Sequence, residues 1–218
     1  MLERLQQQLN DTYQSDHGYD VRDFLVTDAR IAKVLSGDNV LTNSGETLLV
    51  AEDDDGLAMS LYLEAAIIER LESKDPTEQF THHQLDDLCK VIEGLSHFNY
   101  VAWRAHRDRS VSLLELELQA EVDKFVSTVQ LAREQRDTDM LHSLHGRLFN
   151  DIRLREDLDA EQEERYREAT EYAARFCRAI RKRLFDRGDD ALEELRSFYR
   201  MPLREKISHI HTRAWVAG

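Results

Sequence analysis

The sequence predicts a mainly α-helical protein, a bundle with antiparallel long helices and a small α+β N-terminal portion containing a β-hairpin. Three observations predict it. Only two prolines occur, Pro76 and Pro202, and the 125 residues between them hold three glycines, Gly94, Gly146 and Gly188, so that helix breakers are nearly absent there. Leu85, Leu88, Ile92, Leu95, Asn99, Ala102 and His106 recur at spacings of three and four, as do most of Leu114, Leu118, Glu121, Phe125, Val129 and Ala132, which draws two facing helical stripes about Ser110. Before Pro76 the periodicity changes, and Leu57, Met59, Leu61 and Leu63 alternate at period two behind the turn residues Asp53-Asp54-Asp55-Gly56. The expected division is therefore residues 1–75 as the α+β portion and 76–218 as the bundle with a basic C-terminal region.

In chain order, Leu2, Leu5 and Leu9 mark one face of a short first helix. Asp23 to Thr27 fits a strand, Asp28 caps a short helix ending at Gly37, and Thr47 to Glu52 pairs with the alternating run across the acidic turn. Ile67, Ile68 and Leu71 mark another short helix. Thr81-His82-His83-Gln84 has the form of a capping box opening the first long helix, and Ser112 to Glu115 repeats it for the second. A third helix begins near Asp139, with Leu141, Leu144, Leu148 and Ile152 inward. The fourth runs from about Asp159 to Arg187 on Tyr166, Ala169, Ala173, Phe176, Ile180 and Leu184, with Gly188 placed to end it. Leu192, Leu195 and Tyr199 mark a short helix, and Leu203, Ile207, Ile210 and Ala214 mark the last.

At 218 residues and 41% hydrophobic content the chain can bury a proper core. No apolar run approaches the roughly 20 residues that cross a bilayer, and Met1 to Asn10 is polar and amphipathic rather than a signal peptide, so a cytoplasmic location is expected. Cys89 and Cys177 lie on apolar faces and read as free thiols. The net charge of −14 is uneven: residues 174–218 hold 11 Lys and Arg against 6 Asp and Glu, while the first 173 hold 18 against 37. That acidic body would repel phosphate, which argues against nucleic acid as the partner.

Motifs for chemistry are sparse. The acidic turn lacks the rest of a calcium loop, with Ala51 and Tyr62 where the first and last ligands belong. No histidine follows a glutamate by three residues, as a di-metal bundle requires. Glu93 and His97 stand one turn apart but share a stripe with Asp86, Lys90, Tyr100 and Arg104, which reads as a solvent-facing edge. His142 and His145 are the other neighbouring pair. No metal and no cofactor are expected. There is no nucleophile elbow, dinucleotide fingerprint or phosphate loop, which leaves enzymatic activity open.

The two stripes place Asn99 opposite Glu121, an amide and an acid within apolar seams. Such a pair either fixes the register of two helices or, with His106, lines a ligand pocket in the bundle. Arg175, Arg178 and Lys182 align opposite Phe176 and Ile180, although acidic residues at the start of the same helix and basic ones at its end also suit the helix dipole. The expectation for function is a cytoplasmic, non-enzymatic adaptor that meets a partner protein through Arg175, Arg178, Lys182, Tyr199, Arg204 and Trp215, side-chain types enriched at interfaces. A ligand-binding bundle using Glu121, Asn99 and His106, and a nucleic-acid-associated protein using the basic helix, are the alternatives.

Overall fold

Helix breakers and caps divide the chain where the sequence places them. A computed structural model describes residues 1–37, 45–53, 56–150, 158–186 and 189–216, and of residues 53, 189 and 214–216 the backbone alone. It is 72% helical with a small three-stranded sheet. The elements are α1 (Leu2–Tyr13), β1 (Leu25–Val26), α2 (Ala29–Ser36), β2 (Glu46–Asp53), β3 (Gly56–Leu63), α3 (Ala65–Ser73), α4 (Leu85–Ala105), α5 (Leu113–Glu134), α6 (Thr138–Phe149), α7 (Ala160–Phe185), α8 (Asp189–Arg200) and α9 (Leu203–Val216). Ile152, Gly188 and the Asp54-Asp55 turn lie outside the described residues.

Capping chemistry starts the helices. Ser112, Asp137 and Asp159 each accept a bond from a backbone N–H in the first turn of α5, α6 and α7, satisfying donors that a helix cannot pair internally. Thr81 and Gln84 do form a reciprocal box, but it opens a 3₁₀ turn at His82–Gln84 that leads into α4.

The sheet has the order β1-β3-β2, with β1 parallel and β2 antiparallel to the central β3. The β2–β3 register runs from Asp53 opposite Gly56 to Glu46 opposite Leu63, so that Glu46 lies beside the buried end of the hairpin. That end packs on α4 at Gly94. A Cβ there would meet Leu61 Cδ1 at 2.9 Å and Glu46 Oε2 at 3.5 Å, and glycine is the residue that admits strands so close to a helix axis.

Helices α4 and α5 run antiparallel. Ser96 bonds Asp123 and Lys124 bonds Glu93, close to the register of the two apolar stripes. The stripes describe only part of α5, however, because 15 of its 22 residues are buried. It is surrounded by α1, α4, α6 and α7, and its buried polar side chains must find partners on them. One hydrophobic cluster links Leu5 and Leu9 of α1, Leu61 and Leu63 of β3, Leu95 of α4, Phe125 of α5, Phe176 of α7 and Ile210 of α9.

The C-terminal helices depart from the expected pattern. On α9, Lys206 is fully buried beside Ile210, while Ile207 is half-buried. The buried row follows 203, 206 and 210, and a charged residue in it is invisible to a search for apolar periodicity. Tyr199 is core, 2% exposed, with its ring stacked 4.3 Å from Tyr13, so it is not a surface group for a partner.

Candidate metal centre

The faces of α4 and α5 beneath β2 carry a concentration of ionisable groups. Glu93 and His97 stand one turn apart on α4, and Glu117, Glu121 and Lys124 stand on successive turns of α5. β2 adds Glu46 from above, lowered onto the helices by the close approach at Gly94. Among the described residues, ligand atoms of Glu93, His97 and Glu117 lie within 4.8 Å of one another. The expected solvent-facing edge is thus wrong for His97, which is 6% exposed because the sheet covers this side of α4. Periodicity on a single helix assigns one buried face, and α4 has two.

The imidazole stands between carboxylates. His97 Nε2 is 3.7 Å from Glu117 Oε2, and Nδ1 is 4.0 Å from Glu46 Oε2. Nε2 is buried without a hydrogen-bond partner, and 3.7 Å is beyond the range of one. Burial alone pulls the His97 imidazole down, but Glu117, Glu46 and Glu93 together overcome that and push it up to about 9. Burial, aided by the charge of Glu93, pushes Glu46 up to about 8. Lys124 donates to Glu121 Oε1 at 2.5 Å and Glu93 Oε2 at 3.1 Å. Burial raises Glu121, against the pull of Lys124. The phenol of Tyr166 on α7 is raised above its ordinary range by burial and by the charges of Glu117, Glu93 and Glu46.

Such an arrangement suits a cation. Carboxylate oxygens with one imidazole nitrogen form a donor set for Mn²⁺, Fe²⁺ or Zn²⁺. One ligand pair, Glu93 and His97, stands at i,i+4 on α4, a spacing that differs from Glu-x-x-His, and α5 adds Glu117. In the sequence the centre shows as the Glu93 and His97 pair one turn apart, read there as a solvent-facing edge, and as Gly94 within the helix interior between them.

The residues singled out from sequence are distributed elsewhere. Asn99 and Glu121 do not pair. Asn99 accepts from Gln6 at 3.1 Å and lies 3.1 Å from His17 Nε2, whereas Glu121 bonds Lys124. Asn99 points to the α1 side of α4 and Glu121 to the sheet side, so opposite positions in a register do not guarantee a shared face. His106 is exposed beside Tyr19, with ring centroids 5.5 Å apart. His142 and His145 each contact a backbone carbonyl, Thr138 O and Ala174 O. Arg175, Arg178 and Lys182 form an exposed row on α7, and Arg175 pairs with Glu171 at 3.4 Å. Arg204 is exposed, and the side chain of Trp215 lies outside the described residues.

A second polar cluster crosses the core on the other side of α5. Asp123 accepts from Tyr13, from Ser96 at 2.6 Å and from Gln119 at 2.8 Å. Gln119 accepts from the Lys206 ammonium at 2.5 Å, which also lies 4.7 Å from the ring centres of Tyr100 and Phe198. Beside it, Arg104 and Tyr100 donate to Glu115. Apart from Arg104 Nε, which is buried without a partner, these groups satisfy one another, which marks them as structural. Comparison with models of protein families, with curated proteins and with solved structures returns no match for this chain.

Proposed function

We propose that this protein binds a first-row transition-metal dication in the bundle, with Glu93, His97 and Glu117 as ligands and Glu46 closing the site from the sheet. The observation that carries the reading is His97 Nε2, a buried nitrogen with no hydrogen-bond partner, which faces Glu117 of α5 at 3.7 Å while Nδ1 on the other side of the ring faces Glu46 of β2 at 4.0 Å. Imidazole favours Mn²⁺, Fe²⁺ or Zn²⁺ over Ca²⁺ and Mg²⁺, and the absence of a thiolate from the set disfavours Cu⁺. The function is then that of a ligand-binding bundle, at a different place from the Asn99, Glu121 and His106 site first expected. A cytoplasmic setting agrees with the free thiols Cys89 and Cys177.

The test is dialysis against Mn²⁺, Zn²⁺ and, without oxygen, Fe²⁺, followed by elemental analysis and thermal unfolding. Stoichiometric retention is expected, with stabilisation of about 2.7 kcal/mol at a hundredfold excess over the dissociation constant. His97→Ala and Glu117→Gln should abolish both. Folded protein that retains no metal overturns the reading.

A second reading, an adaptor for a partner protein, is favoured by α2, where Ile31, Val34 and Leu35 are 53%, 80% and 53% exposed on a helix of eight residues. Co-purification of a stoichiometric partner, lost on Val34→Asp, supports it, and retention of that partner by the variant rejects α2 as the contact.

A further inference from the structure

We propose that the Lys124 ammonium takes the place of a second cation, so that the centre accepts one metal dication where its carboxylates would otherwise accommodate two. This inference rests on the reading that Glu93, His97 and Glu117 hold a metal.

Geometry supports it first. Glu93 belongs to both halves of the centre: it lies within 4.8 Å of His97 and Glu117, and its Oε2 accepts from Lys124 at 3.1 Å. Lys124 reaches Glu121 Oε1 at 2.5 Å, so its ammonium stands between two carboxylates as a bridged ion would. Carboxylate-bridged ions sit roughly 3.5–4 Å apart, and their oxygen ligands at about 2.0–2.2 Å. A small inward movement of Glu93 and Glu121 would suffice for a metal in place of the ammonium. The lysine is itself sequestered, with its side chain 12% exposed.

Charge points the same way. A bound dication holds the carboxylates around it ionised, and in that form Glu46, Glu93, Glu117 and Glu121 face one ammonium and leave three negative charges. One dication on neutral His97 leaves a single negative charge, whereas a second would leave a single positive charge and set two dications close beside a fixed ammonium in a buried place. Without the ammonium, two dications would balance the four carboxylates.

The experiment compares the 218-residue chain with Lys124→Met and with the double variant Lys124→Met, Glu121→Gln. The probe is Mn²⁺, a hard ion with little affinity for the thiol of Cys89. Bound metal is counted after dialysis, and electron paramagnetic resonance distinguishes an isolated ion from a coupled pair. The expected counts are one for the wild type, two coupled ions for Lys124→Met and one for the double variant. Removing the lysine should weaken the metal-free fold, and Mn²⁺ should restore it. Two ions in the wild type, one ion in folded Lys124→Met, a Lys124→Met protein that Mn²⁺ cannot restore, or two ions in the double variant each overturn the assignment while the metal-binding reading stands. A wild type that retains none overturns both.

Discussion

Gly94 and Leu61 meet so closely that a single methyl group on the glycine would stand 2.9 Å from Leu61 Cδ1. The spacing between α4 and the sheet is set by that contact. Gly94→Leu should therefore displace β2 and β3 and cost about 1–3 kcal/mol through overpacking, offset in part by up to roughly 1 kcal/mol of improved helix propensity. Gly94→Ala should be much milder, because the tip of Leu61 can rotate aside. Urea unfolding gives the energies, and faster hydrogen exchange confined to β2 and β3 would locate the displacement.

Lys206 gives a pH dependence of known sign. Burial pulls its ammonium down to about 7 from the ordinary 10.5, against the attraction of Glu115 and Asp123 and together with the repulsion of Arg104. Between those values the unfolded chain holds a proton that the folded chain has shed, so this group's contribution to stability rises with pH. Lys206→Met should be more stable than the wild type near pH 6 to 7, and the gap should narrow towards pH 9. Taking the difference between the two proteins removes other titrating groups, and urea midpoints at several pH values read it. A constant gap would contradict the assignment.

Arg104 is 2% exposed and spans Glu115, Tyr100 and the carbonyl of Met201, to which it donates at 2.8 Å. Glu115→Ala strands this guanidinium in the core and should cost about 3–5 kcal/mol. The paired change Arg104→Met, Glu115→Leu should recover most of the loss, because it removes both charges. Denaturant unfolding of the wild type and the two variants measures both changes.

Glu194 is 7% exposed and accepts from Arg183 at 2.5 Å, Arg213 at 3.0 Å and His209 at 2.8 Å, tying α7, α8 and α9 together. Burial would raise its carboxyl, but Arg183, His209 and Arg213 hold it below the usual range. Its contribution is present above that range and fades as pH falls through the lowered value. Glu194→Ala should cost about 2–3 kcal/mol near neutrality, as for hydrogen bonds to charged groups, and release amides of α8 and α9 in hydrogen exchange.

Helix positions, their caps and the hairpin were legible in the sequence because Ser112, Asp137, Asp159 and the alternating residues of β3 act locally. The antiparallel pairing of α4 with α5 was legible for a related reason, since a short link leaves two long apolar stripes little choice but to face each other. The centre was not. Glu93 and His97 look like a wet edge until β2 and β3, from an earlier part of the chain, are laid across them, and Asn99 and Glu121 look like partners until α1 claims one and Lys124 the other. Lys206 was missed because an apolar stripe search rejects lysine, although its long methylene stem packs as a hydrophobic group would.

Glu46 reaches the helices from a strand far upstream, while Glu117 comes from the helix at the heart of the bundle. A newly made chain thus has no ready receptacle for an ion: the hairpin must close, the long helices must zip together, and the two must dock before the donors converge. Uptake of metal would then act as a seal on a finished molecule, and its rate would report the last step of assembly rather than the first.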